Sequence, residues 1–180
     1  MNDFNKMQQI KRKFYALRNG VISDTLRKAG SPFKIIFGLN LPQLSQIARE
    51  EGYNHELARW LWENSTTRES QLLAPMLIDP ATVTPDDAFS LIESAVSTEI
   101  IDNLCHKLLR HTNEAFELAL NLSGSQSEKA RYAAMRLFWH QINAHTDTIE
   151  PIARKEAASG CRLTAGPANQ IIEEIEFMKE

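Results

Sequence analysis

One acidic side chain, Asp102, sits where its sequence neighbours give it chemical options. The stretch Ser97 to His111, STEIIDNLCHKLLRH, reads as a single helix, because Ile100, Ile101, Leu104, Cys105 and Leu108 recur at the three-or-four spacing of one buried stripe. Ser97 stands where it can cap the first turn, and Glu99 lies in the favourable field of that end. At about 100° per residue, Asp102 falls roughly 110° from the middle of the stripe, on the flank where buried face meets water. A carboxylate there is half desolvated and still reaches a ligand, so it can stabilise a cationic or cation-developing group. It also reads as a solvated carboxylate, or as the partner of Arg131 one repeat later.

Other chemistry finds little footing. His106 with His111 and His140 with His145 are each five apart, not the four that places two ligands on one helix face, and no cysteine completes a set. No metal site and no cofactor is expected. Nucleotide-binding GxGxxG and GxxxxGK patterns and the hydrolase GxSxG pattern are absent. Cys105 and Cys161 lack CxxC spacing, which argues against a disulfide scaffold.

Charge is distributed unevenly. Residues 1 to 36 hold eight Lys/Arg against Asp3 and Asp24, a balance of +6, whereas the remainder holds 12 cations and 21 anions, a balance of −9. Such asymmetry points to contact with a polyanion, and Lys11, Arg12, Lys13, Arg27, Lys28 and Lys34 are the candidate phosphate contacts, with Arg131 a further cation in the body of the chain. The same residues also suit the wet face of a basic amphipathic helix.

The elements that must position these groups are helical. With 180 residues and 43% hydrophobic content the chain suits one domain, residues 1–180. No run approaches 18 apolar residues and the N-terminus lacks a signal-peptide core, so a cytoplasmic protein without membrane contact is expected, acting as a monomer. Residues 1–52 carry N-terminal helices: Phe4, Met7, Ile10, Phe14 and Leu17 make an amphipathic opening helix ended by Gly20, and Ile22, Leu26 and Ala29 a short second one closed by Gly30. SPFKIIFGLNLP is assigned to a packed connection, after which Pro42 starts a helix that Gly52 stops. From residue 54 a repeat emerges. Helix starts at Asn54, Thr84, Thr112 and Thr146 are 30, 28 and 34 residues apart, and second starts at Thr66, Ser97, Ser127 and Thr164 are 31, 30 and 37 apart. Residues 54–180 therefore make about four antiparallel helix pairs, each too small to bury its own face and obliged to stack. The expected fold is all-α, an α-solenoid of HEAT/ARM-like repeats. Asp79-Pro80, Ser123-Gly124, Gly160 and Gly166-Pro167 are expected between helices, while Pro75 should kink or shorten the helix from Thr66. Aligning QLLA, DNLC and RYAA puts Gln71, Asp102 and Arg131 in one row along a polar groove.

Three segments, FGLNLPQLSQIARE (37–50), HELARWLWENSTTRESQLLAPMLIDP (55–80) and EIIDNLCHKLL (99–109), resemble motifs of the DNA alkylation repair family, the AlkD-like HEAT-repeat DNA glycosylases. The resemblance covers about residues 1–145. It implies a solenoid that wraps duplex DNA and excises cationic N3- or N7-alkylated purines, with Asp102 as the catalytic carboxylate that stabilises positive charge on the sugar. The family enzymes place a Trp four residues before the Asp, one turn away on the same face. Here that residue is Thr98, and the entry-loop Lys of the family is Asn40. Trp139 or Phe177 would have to supply a second aromatic. Two readings follow: a glycosylase, or a catalytically silent solenoid that binds DNA structures or a protein partner.

Overall fold

A computed structural model describes residues 3–179, with side chains from residue 6 onward, so the Phe4 side chain lies outside the described residues. Eleven α-helices are described: α1 (Asp3–Ala16), α2 (Gly20–Lys28), α3 (Leu41–Glu51), α4 (His55–Glu63), α5 (Arg68–Leu73), α6 (Pro85–Ser94), α7 (Thr98–Lys107), α8 (Ala115–Ser123), α9 (Glu128–Trp139), α10 (Ile142–Ala157) and α11 (Arg162–Lys179). Among the described residues the only extended pairing is an isolated parallel bridge, Ile35 to Thr67, so SPFKIIFGLNLP is the packed connection expected of it. No described helix is long and apolar enough to cross a membrane. Two compact units divide the chain, Met1–Thr82 with Val96–Asn103, and Val83–Ala95 with Leu104–Glu180.

In the first unit, Ile10 and Phe14 of α1 are fully buried, as the sequence spacing requires. The turn after α1 differs from expectation. Helix α1 ends at Ala16, and Gly20 opens α2 because the side chain of Asn19 accepts from the Ile22 amide and caps it. A capping box between Asn40 and Gln43 starts α3, with Pro42 in its first turn, and Gly52 at φ +68° ends it.

The connection between α2 and α3 is held by a buried carboxylate. Glu69 is fully buried and accepts from the backbone amides of Phe37 (3.0 Å), Gly38 (2.9 Å) and Leu39 (3.3 Å), while Arg68 Nη1 donates to it at 3.1 Å. Arg68 also donates to Glu99 at 2.5 Å and to the Leu39 carbonyl at 3.2 Å. Burial works against the Arg68 charge, but the two carboxylates outweigh it and raise its pKa above the ordinary value. Gly38 has φ +81°, and a Cβ there would lie 2.2 Å from the Asn19 carbonyl oxygen, so the loop passes α2 too closely for any side chain.

Pro75 acts as its sequence position predicts. Helix α5 stops at Leu73 and continues as a 3-10 turn, Ala74–Leu77. In a 3-10 turn the Leu72 carbonyl would take the amide of residue 75, and proline has none. The Asn103 side-chain amide supplies the missing donor, Nδ2 to Leu72 O at 2.8 Å.

In the second unit α8 packs on α9, α10 on α11, and α9 touches both α6 and α11. Helix α6 begins with a capping box between Thr84 and Asp87, and Ser127 caps α9 through the Ala130 amide. Two starts lie elsewhere than expected. Thr112 Oγ1 donates to the Leu109 carbonyl and α8 begins at Ala115, and Thr164 Oγ1 donates to Glu156 at 2.6 Å inside α11. Gly166-Pro167 falls within α11, not between helices. Helix α10 includes a break at His145, immediately before the expected start at Thr146.

Candidate functional site

Asp102 lies on α7 between the buried residues Ile101 and Asn103 and is itself half-buried, the exposure its place on the stripe flank predicts. The helix is shorter than its apolar pattern. It ends at Lys107, Leu108 leaves helical geometry (φ −125°, ψ −66°), and Leu109–His111 form a 3-10 turn. The Ser97 hydroxyl is buried and has no hydrogen-bond partner among the described residues. The first turn is closed instead by the Ser97 carbonyl, which accepts from the amides of Ile100 and Ile101. Thr98, one turn before Asp102, is exposed.

The proposed row does not hold at Gln71. That side chain is buried and its amide donates to the Trp62 carbonyl at 3.1 Å, so it belongs to the core of the first unit. Trp62 is buried and Trp60 half-buried, in keeping with packing rather than with open aromatic faces. In the second unit Arg131 is occupied: Nε donates to Glu156 at 3.1 Å, and Nη1 to the carbonyls of Ser125 (3.1 Å) and Gln126 (3.0 Å). The hydrogen bond to Glu156 raises its pKa. Glu156 also accepts from Thr164, so Arg131 ties the turn before α9 to the junction of α10 and α11.

The six N-terminal cations divide into two kinds. Lys13 donates to Glu50 and Glu51, each at 2.9 Å, and these carboxylates more than offset the partial burial that works against its charge, raising its pKa. Lys11 and Arg12 on α1, Arg27 and Lys28 in the last turn of α2, and Lys34 in the following connection are exposed, and among the described residues none is in an ion pair. Arg27 Nη1 donates to the Lys34 carbonyl at 3.4 Å, which brings two of these cations together. The connection that carries Lys34 is the one Glu69 holds, so the buried carboxylate positions part of the cationic surface.

A cluster that sequence spacing does not reveal gathers in the second unit. Arg110 Nε donates to His111 Nε2 at 3.1 Å, its Nη1 lies 3.3 Å from His140 Nδ1, and the rings of His106 and His140 are 5.4 Å apart. Burial first, then the nearby Arg110 charge, hold all three imidazoles below their ordinary pKa, His140 at about 4. Their spacing in sequence bears only on metal ligation and carries no sign of the Arg110 they share. Among the described residues no three His, Cys, Asp or Glu side chains converge on a metal position.

Comparison with known proteins places this geometry in context. A sequence model of the family described as DNA alkylation repair enzyme matches residues 9–164. A solved structure from a new family of proteins related to the HEAT-like repeat DNA glycosylases, with affinity for branched DNA structures, superposes with a TM-score of 0.78 at 16% identity, covering 91% of this chain and 73% of that one. The likeness shows the fold, an all-helical HEAT-like repeat solenoid. No curated protein matches the chain.

Proposed function

The chain belongs to the DNA alkylation repair enzyme family, and from that premise we propose that it binds DNA as a HEAT-like repeat protein, with the cations of its N-terminal helices on backbone phosphates. The observation that carries this reading is the exposed set Lys11, Arg12, Arg27, Lys28 and Lys34, none ion-paired among the described residues. Cations without a carboxylate partner exchange only water and counterions when a phosphate arrives, which keeps the electrostatic gain. Lys13 and Arg131 are already bonded within the protein and serve to position helices.

The test is a salt titration of binding to a labelled duplex and to a four-way junction. Each phosphate neutralised adds about 0.9 to the slope of log affinity against log salt. The double variant Lys11→Ala/Arg12→Ala should therefore lower that slope by up to about 2 without loss of helix content. Undetectable binding to both probes at low salt would overturn the reading.

Excision of cationic alkylpurines is the second reading, favoured by the half-buried carboxylate of Asp102 on α7, which would stabilise positive charge developing on the sugar. Thr98 counts against it, since a threonine offers no ring face to a cation. Incubation with DNA carrying 7-methylguanine separates the two. Base release that Asp102→Asn abolishes supports excision, and no release with binding intact leaves the binding function alone.

A further inference from the structure

Around Arg110 the second unit carries an open cleft of about 660 Å³, bounded by the 3-10 turn after α7, the first turn of α8 and the corner between α9 and α10. That volume suits a small ligand of nucleotide size. Its walls combine two chemistries. One is a cation with imidazoles instead of a carboxylate around it: Arg110 bonds to His111 and His140, and among the described residues it forms no ion pair. The other is an aromatic platform, Phe116 and His145 stacked at 3.7 Å between centroids and 11° between planes. Stacked against each other, each ring has one face turned away from its partner.

We propose that this cleft is a site for a nucleotide phosphate, with the phosphate on Arg110, His111 and His140 and the base against the Phe116–His145 stack. A guanidinium flanked by imidazoles offers several N–H donors to one anion, and a planar ring pair accepts any base through its π-face. Charge in the cleft depends on pH. Glu114 and Glu117 of α8 also line it, so with the imidazoles unprotonated its charges are one cation and two anions. His106 on α7 lies against His140, Lys107 on α7 and Arg136 on α9 add positive potential, and Arg136 is itself engaged with Gln170. Protonation of His111 and His140 reverses the balance. A bound dianion therefore enters with proton uptake, and its affinity rises as pH falls. This site lies among residues of the second unit and does not depend on the N-terminal cations, so either can fail without the other.

The experiment follows the histidine ring resonances by NMR with three probes: sulfate, whose charge stays constant over the pH range used, deoxyadenosine monophosphate, and deoxyadenosine. Sulfate should raise the apparent pKa of His140 and His111 by a unit or more, equivalent to tenfold tighter anion binding to the protonated form. The nucleotide should do the same and in addition shift the Phe116 and His145 rings. Deoxyadenosine should bind at least tenfold more weakly than the nucleotide. Arg110→Gln should weaken sulfate and nucleotide binding at least tenfold, whereas His145→Ala should weaken the nucleotide and leave sulfate unchanged, with the Phe138 ring resonances of the core reporting that each variant is folded. A 5′-phosphorylated duplex compared with its 5′-hydroxyl counterpart then tells a strand end from a free nucleotide as the source. Unmoved histidine resonances, or shifts indifferent to Arg110→Gln, overturn the proposal. Identical responses to sulfate and nucleotide overturn the base seat and with it the nucleotide assignment.

Discussion

Replacing Glu69 with alanine tests how the connection between α2 and α3 is held. The substitution removes the acceptor for three backbone amides, at Phe37, Gly38 and Leu39, and for one Arg68 hydrogen bond. Gly38 and Leu39 are buried, so water cannot replace the lost partner without opening the loop. Each stranded buried donor costs about 1–3 kcal/mol. Arg68 keeps Glu99 and the Leu39 carbonyl and is not itself orphaned, which limits the total. The sum falls at about 3–5 kcal/mol, the range found when one member of a buried ion pair is removed. Against a typical stability of about 5–15 kcal/mol this is a large fraction. Urea unfolding followed by circular dichroism measures it: with a slope of about 2 kcal/mol per molar, the midpoint should fall by roughly 1.5–2.5 M. Glu69→Gln keeps one acceptor oxygen for Gly38 and Leu39 and should lie between. Glu99→Ala removes a side chain 39% exposed and should cost about 1 kcal/mol or less. A Glu69→Ala midpoint shift below about 0.5 M, or one no larger than that of Glu99→Ala, would refute the account of the loop.

Gly38→Ala and Gly30→Ala make a matched pair. Both have φ above +80°, but only position 38 has a backbone oxygen in the way, so Gly30→Ala should cost about 1 kcal/mol and Gly38→Ala clearly more in the same unfolding assay. The imidazoles around Arg110 make stability depend on pH. His140 is held at about 4 against an ordinary 6.5, and His106 and His111 are shifted the same way, so the unfolded chain takes up protons that the folded one refuses. Stability is full above pH 6.5 and declines as pH falls toward 4, and His140→Gln should make the decline shallower. An equally steep decline in His140→Gln would exclude this residue as its source.

Helix starts were legible where a polar side chain caps its own helix, as at Asn54, Thr84 and Ser127, whose oxygens accept from the amide three residues on. They were illegible where the same residue type has a partner elsewhere. Thr112 bonds to a preceding carbonyl and Thr164 to Glu156, and no local signal separates those uses from capping. Pro75 and Pro167 show the same limit. The first breaks a helix, whereas the second sits in the sixth position of α11 and is accommodated. At the candidate site, the flank position of Asp102 followed from helical period alone. The burial of Gln71 did not, since an amide on an aligned row can turn to a core carbonyl as readily as to water. Which cations stay unpaired depended on Glu50, Glu51 and Glu156, acids distant in sequence from the residues they hold.

The bond from Asn103 to Leu72 spans 31 residues, nearly the same interval that separates successive hairpins. A ring that cannot donate at position 75 and an amide that can at position 103 form a lock and key written into two neighbouring repeats. Neither is replaceable alone: restoring a donor at 75 would compete with the amide, and an apolar residue at 103 would strand the carbonyl. A single polar contact thereby joins the two repeats here, and a one-residue insertion between the two would turn that amide off its mark.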